Sequence, residues 1–386
     1  MNRLLFILVT GLLLFSCKEN YEPRELDSVS IIEFTVDSSS IRAIQVINDS
    51  TIFYAGSRGD IGYTNDNGVT WSKQSLTYQD SIIPNFRSIA TNGKDIFALS
   101  IVSPALLYKI SGEKTELVYS ENHPKAFYDA LQFFDDGIHG IAVGDPTEDC
   151  PSIIITEDGG ITWNKIACEN LPKFEEGEAY FAASNTNIKI IDKTVWMASG
   201  GKKSSVYKSV DYGNTWIENS TPIIQGIGSQ GIYSIDFTDE NNGIVLGGDY
   251  SKPLANDSNK AITKDGGKTW DLFAVGENPN YKSCVQYVPG TNGQEIFAVG
   301  FTGVSYSNDG GNTWKDVSEE KYFTIQFVDK NTAWLSGNNK IGKLVLGDDW
   351  WIGSQYNFSL TPVREKSLEL TAIFVCQFEW FYCSDS

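Results

Sequence analysis

Histidine is almost missing from this chain: among 386 residues only His123 and His139 occur. Neither stands near a Cys-x-x-Cys pair or at His-x-x-x-His spacing, so no metal centre and no histidine-dependent triad are expected. Basic residues are also scarce. Lysine and arginine total 30 against 49 acidic residues, a net charge of −19. A surface of that sign does not bind a phosphate backbone, so no nucleic-acid partner is expected. It is not drawn to anionic lipid either, so membrane attachment would need a covalent lipid. Arginine is absent from Ile89 to Val363. The apolar run from Leu4 to Phe15 is too short for a comfortable transmembrane span. Gly226, Gly228 and Gly231 match a dinucleotide-loop pattern but precede a strand instead of opening a helix, and no cofactor is expected.

What the chain does contain is one phrase used five times, Ser/Thr-x-Asp-x-Gly-x-Thr-Trp. Its aspartates are Asp66, Asp158, Asp211, Asp265 and Asp309, and its tryptophans Trp71, Trp163, Trp216, Trp270 and Trp314. The first interval, 92 residues, is about twice the later ones of 53, 54 and 44. One copy has therefore decayed, and Tyr108–Thr115 keeps a turn there without the Asp or Trp. A period near 45 residues with several short β-rich runs per unit is the signature of a propeller blade. The phrase resembles the Asp-box (bacterial neuraminidase) repeat. Its Asp accepts hydrogen bonds from turn backbone, its Gly permits φ > 0, and its Trp buries a large apolar area as a strand begins. Residues repeated in every blade lie in a ring and cannot converge on one site, so the five aspartates are expected to be structural.

Aligned on these turns, the chain shows seven units. Innermost strands are expected to begin at Arg42, Arg87, Asp129, Phe181, Tyr233, Lys282 and Phe323. Second strands are expected at Phe53–Gly56, Phe97–Ser100, Ile141–Gly144, Trp196–Ser199, Ile244–Gly247, Phe297–Gly300 and Trp334–Gly337. The fold expected is all-β, a seven-bladed propeller of four-stranded antiparallel blades over residues 28–349, with Ser30–Phe34 supplying the last blade's outer strand and closing the ring. Residues 18–27 would form a tether. The aromatic stretch 350–386 belongs to no blade and suggests no function.

In an up-and-down propeller the start of the first strand and the end of the second share one face, opposite the repeated turns. That rule gathers Arg42, Arg58, Arg87, Asp129, Asp145, Glu178, Tyr233, Asp249 and Lys282 at the channel mouth, a concave surface with a few charges. A sialidase would need three arginines drawn from around the ring to grip a carboxylate. Only Arg42, Arg58 and Arg87 lie in the propeller, all in the first two units, which argues against that activity. A glycoside hydrolase using two of Asp129, Asp145, Glu178 and Asp249 remains an alternative.

Arg3, the apolar run and Ser16-Cys17 have the layout of a secretory signal, and the small residue before cysteine resembles a bacterial lipobox, with Cys17 lipidated. Lys18–Glu22 resembles the charged export tags of some Gram-negative lipoproteins, giving an expected location in the cell envelope, anchored to the outer membrane. Cys150 and Cys168 flank the Asp158 turn symmetrically. They either pair, as an oxidising compartment permits, or stay as two thiols on strand faces. Cys284 reads as a small core residue.

The stretch from Ser40 to Leu346 looks like the photosystem II stability/assembly-factor-like propellers, including relatives in non-photosynthetic bacteria. The phrases carrying this are Asn85–Arg87, Phe127–Ala130, Ala142–Pro146, Gly177–Ser184, Gly231–Phe237, Gly247–Pro253 and Tyr287–Gly290. The resemblance implies a binding or assembly role, with face arginines contacting a partner. The expectation is a monomeric, non-catalytic module that takes a protein or glycan partner at its mouth.

Overall fold

The computed structural model describes residues 21–347. Cys17, the signal segment and the 350–386 stretch lie outside the described residues. Strands dominate, and the described residues contain only two short 3-10 turns, Ser57–Gly59 and Cys168–Asn170. Four sheets have four antiparallel strands each; a fifth has six and a sixth has seven. The seven-stranded sheet turns on one long strand, Ser30–Val46. Its first half pairs with Lys340–Val345 and its second half with Ile52–Gly56, so the two ends of the described chain are hydrogen-bonded together. The six-stranded sheet is a four-stranded group (Gln230–Phe237, Gly243–Asp249, Lys260–Thr263, Asp271–Leu272) extended by two-residue strands at Glu178–Ala179 and Gly200–Gly201. This is a β-propeller.

The second strand of each group is flanked by packed structure on both faces, which is why it reads as a continuous apolar run and not an alternating one. Ile96–Ser100, Gly140–Gly144 and Ile296–Gly300 are buried at every position. Large side chains lock neighbouring groups together. Trp196 is fully buried, stacks on Phe237 with ring centroids 4.0 Å apart, and donates its indole N–H to the Gly266 carbonyl at 2.9 Å. Gly267, at φ +84°, lies against that indole: a Cβ there would fall 3.0 Å from Trp196 Nε1.

All five repeated turns share one hydrogen-bond pattern. In the first, Asp66 Oδ1 accepts from Thr64 Oγ1 (2.8 Å) and Thr70 N (2.9 Å), and Oδ2 accepts from Thr70 Oγ1 (2.6 Å). The same bonds form at Asp158, Asp211, Asp265 and Asp309. Burial raises the Asp265 carboxyl, but the donors from Thr269, Thr263 and Lys268 outweigh it and hold it at about 2. The carboxylates are thus fully used within their own turns. Cys150 and Cys168 are joined in a disulfide, Cα atoms 5.6 Å apart.

One expected strand is displaced. Phe181–Ala183 is not an inner strand; that position is taken by Ile188–Ile191, paired with Thr194–Ala198. Residues 181–187 instead cross the channel and tie its sides together. Arg42 and Arg87 donate to the Ala183 and Ala182 carbonyls at 3.2 and 3.3 Å. Asn185 accepts from Leu131 N and donates to Ile89 O, both at 2.9 Å. Ser184 Oγ donates to Ser283 O at 2.6 Å, and Ile235 N donates to Thr186 O at 2.8 Å. The crossing divides the channel into two cavities. The mouth cavity, of about 390 Å³, has Phe181, Ala182 and Ala183 in its wall; the other, of about 430 Å³ on the side of the Asp turns, is walled by Ser184, Asn185 and Thr186. Replacing Asn185 with alanine leaves the Leu131 N–H and the Ile89 carbonyl buried without partners. A loss of about 2–4 kcal/mol in unfolding free energy, read from urea melts, is the expected outcome.

The segment expected to be a tether is held along the propeller from Tyr21 onward. Arg24 forks onto the buried Glu295 carboxylate, Lys315 pairs with Asp27, and Val29 N donates to Val317 O at 3.1 Å.

Candidate binding site at the channel mouth

Four of the nine expected mouth residues line the mouth cavity: Arg42, Arg87, Asp145 and Tyr233. Arg42 and Arg87 begin inner strands on adjacent blades, so their side chains lean over the same opening. The Arg42 guanidinium sits 4.0 Å above the Phe323 ring, and its Nε is buried without a partner. Among the described residues neither arginine forms an ion pair. Burial, reinforced by the Arg87 charge, brings Arg42 down to about 10, and burial lowers Arg87 against the opposing attraction of Asp129. Two guanidiniums are thus partly stripped of water, with backbone carbonyls as their hydrogen-bond acceptors.

Among the described residues, neither nearby aspartate is hydrogen-bonded to an arginine. Asp129 is fully buried and neither carboxylate oxygen makes a hydrogen bond. Burial, then the neighbouring Asp145 carboxylate, push the Asp129 carboxyl well above the ordinary range, against the pull of the Arg87 guanidinium. Burial raises Asp145 to about 6, against the pull of the Tyr180 N–H that donates to it at 2.8 Å. An unfolded aspartate titrates near 3.9. The stabilising contribution of the protonated Asp145 is therefore complete below about pH 4 and is lost as pH rises through about 6. The same titration changes the mouth: above about pH 6 Asp145 adds an anion to the wall of the cavity that the arginines line, and below it that wall group is neutral. An anionic ligand is expected to bind more tightly at about pH 5 than at about pH 7.5, and Asp145→Asn should flatten that dependence in a calorimetric titration; an unchanged slope in the variant would place the titrating group elsewhere.

The remaining expected residues serve other purposes. Arg58 is exposed in the Ser57–Gly59 turn at φ +67° and does not line the cavity. Glu178 is buried, accepting from Ser199 Oγ (2.6 Å), Tyr207 O–H (2.7 Å) and Glu175 N, and so fixes the start of the channel crossing. Asp249 is buried at the end of the strand Gly243–Asp249, where Ser251 donates to it through N (2.9 Å) and Oγ (2.6 Å). Lys282 is fully buried, its Nζ donating to Thr302 Oγ1 at 2.9 Å, and burial lowers it to about 8. With the buried Asp129, these four are corrections to the expected site: none lines the cavity, and each side chain is turned into loop or blade interior or away from the opening.

An aromatic wall completes the cavity, and most of it was not anticipated. Phe181 stacks on Tyr233 at 3.9 Å with planes 8° apart, Tyr281 meets Tyr233 edge-on at 4.8 Å, and Phe301 leans on Tyr281 at 4.9 Å. Phe127, Tyr180, Tyr250 and Phe323 also line it. Phe301 follows Gly300 just as Asp145 follows Gly144, so the offset that found Asp145 also marks Phe301. Phe181, Tyr233 and Phe323 stand at expected first-strand starts, whereas Phe127, Tyr180, Tyr250, Tyr281 and Phe301 were not among the expected mouth residues.

The fold and this mouth define a β-propeller with an arginine- and aromatic-lined cavity. No protein-family model and no curated protein sequence matches the chain. Solved structures do resemble it. A structure described as YCF48 bound to D1 peptide superposes with TM-score 0.59 at 14% identity, covering 84% of this chain and all of that one. YCF48 from Cyanidioschyzon merolae gives TM-score 0.60 at 13% identity over 82% of this chain and 99% of that one. The WD40 repeats of RRP9 give 0.60 at 13% over 84% and 100%. At such identities the likeness is one of fold.

Proposed function

We propose that this chain is a non-catalytic binding or assembly module whose protein partner inserts an acidic group at the channel mouth. One observation carries the reading: Arg42 and Arg87 line one aromatic cavity, partly desolvated, donating to backbone carbonyls and, among the described residues, forming no ion pair. Guanidinium forks match carboxylates in pairs, and a partner carboxylate would meet two donors already stripped of water. The neighbour bound to a peptide is a precedent for a propeller of this shape holding a protein segment. A glycan could also stack on the aromatic wall, but an anion requirement favours a peptide.

The strand groups support a seven-bladed ring of four-stranded antiparallel blades. On this reading four sheets are single blades, the six-stranded sheet contributes one and the seven-stranded sheet two, with the pairings of Ser30–Val46 supporting closure of the ring. We further propose a lipid on Cys17, anchoring the ring to the outer membrane of the cell envelope. The short apolar run ending in cysteine supports this reading. Cys17→Ala should release the protein from membranes.

The glycoside-hydrolase alternative needs two carboxylates that reach a substrate. Asp129 and Glu178 are closed to solvent and Asp249 is held by Ser251, leaving Asp145 alone in the cavity wall. The binding reading is tested by panning peptide libraries that differ only at the C-terminus, free or amidated. Free carboxylates should be enriched on the wild-type chain; equal recovery of amidated peptides would sink the anion site.

A further inference from the structure

The docking of the N-terminal segment determines which face of the propeller a lipid on residue 17 brings to the bilayer. Tyr21 lies four residues beyond Cys17, and four residues span at most about 14 Å. The clamp that follows sits on the face of the Asp turns. Glu295, which holds both Tyr21 and Arg24, immediately precedes the strand Ile296–Gly300, at the end of the blade where that face lies. The Arg24 carbonyl accepts from Tyr306 O–H at 3.0 Å and from Asn308 Nδ2 at 3.2 Å, and Asn308 belongs to the fifth Asp turn. From this point the chain climbs the outer strand Lys315–Ser318, through Lys315 to Asp27 and Val29 to Val317, before joining Lys340–Val345. It therefore runs from the Asp-turn face toward the mouth face. A five-residue strand is about 17 Å long. A leash of about 14 Å that starts on the Asp-turn face is too short to carry a lipid around a blade to the mouth.

The geometry points to the Asp-turn face as a membrane-apposed surface, with a phospholipid bilayer as its partner and the mouth directed away from it. This rests on the lipid-anchor reading of Cys17. In two of the five turns the variable position of the apposed face is aliphatic, Val69 and Ile161 each 65% exposed, while the other three carry Asn214, Lys268 and Asn312. The aliphatic residues suit the headgroup boundary without requiring the positive charge this chain lacks. Apolar exposure alone would not choose the face, because Leu254 on the mouth side is 76% exposed. The position of the clamp chooses it. The orientation also leaves the arginine cavity open to a soluble partner or to one held in a different membrane.

The test uses the full lipidated chain in phosphatidylethanolamine vesicles, with p-benzoylphenylalanine introduced singly at Ile161 or at Leu254. Metabolic palmitate labelling of the wild-type and Cys17→Ala chains comes first, because an unlabelled wild-type chain would overturn the anchor and this orientation together. With label present, photo-cross-linking to lipid is expected from Ile161 and absent from Leu254. The reverse pattern, equal yields, or no cross-link from either position would overturn the orientation while leaving the anchor intact. A Gly-Ser insertion of about twenty residues between Cys17 and Tyr21, about 25 Å in r.m.s. length, keeps the clamp and the fold while freeing the body. It should lose the Ile161 preference; retention of the full preference would show that the short leash is not its cause.

Discussion

Replacing Arg24 with alanine is expected to destabilise the protein by about 3 kcal/mol in denaturant or thermal unfolding, a large effect for a residue at the edge of the fold. The cause is its partner. Glu295 is fully buried and receives Arg24 through Nε at 2.9 Å, through a terminal guanidinium nitrogen and through the backbone N–H at 2.8 Å. Removing one member of a buried pair leaves an uncompensated charge, at about 3–5 kcal/mol, and the 22% exposure of the Arg24 side chain puts the expectation at the lower end. Burial raises Glu295, but Arg24 and Tyr21 outweigh it and hold the carboxyl below its ordinary value. In the wild type this contribution is present above the unfolded glutamate value, near 4.3, and is lost as pH falls through the folded one. In Arg24→Ala the lone carboxyl moves up instead, so the deficit should shrink as pH falls below about 4. Replacing Arg24 and Glu295 together with methionine should recover most of the stability, since well-packed apolar groups often substitute for a buried pair at little cost. A double variant as unstable as the single one would assign the effect to packing.

The second large effect concerns binding. Arg42→Gln combined with Arg87→Gln should weaken a carboxylate-bearing peptide by at least about 100-fold, because each charge-assisted contact contributes about 1.5–3 kcal/mol and a factor of ten is 1.4 kcal/mol. The glutamine side chain is two bonds shorter than the guanidinium, but the crossing keeps its bonds through Ser184, Asn185 and Thr186, so it should persist and the melting temperature should change little. Arg58→Gln serves as the contrast. It removes an arginine of the same face that stands outside the cavity, and should leave affinity within about twofold, as for other rim charges. The variants thus separate a general loss of positive charge from the loss of the pair.

Much of the fold could be read from the five turns, because each turn is a local device: Thr or Ser, Asp, Gly and Thr satisfy one another within five to seven residues, so sequence alone specifies them. The mouth was legible only in part. Arg42, Arg87, Asp145 and Tyr233 followed from strand order, since the end of a strand fixes the face of its residue. Whether a side chain then turns into the opening or back into the blade depends on partners distant in sequence. Glu178 is drawn inward by Ser199 and Tyr207, and Lys282 by Thr302. The channel crossing was hidden for a related reason. Fifteen residues separate Phe181 from Trp196, and fifteen separate Lys282 from Phe297. In the second case the extra residues lie between the first and second strands; in the first they lie before the first strand and span the channel. Interval length cannot distinguish the two, whereas the contacts of Asn185 with Ile89 and Leu131 do.

The central claim is that the mouth receives a partner's carboxylate between Arg42 and Arg87. A crystal structure of the protein with a peptide recovered from the free-carboxylate library tests it most directly. The account predicts a peptide carboxylate within hydrogen-bond distance of both guanidiniums, above Ala182 and Ala183 and beside the Phe181–Tyr233 stack. A peptide lodged on the Asp-turn face or along an outer strand, with the mouth empty, would contradict it.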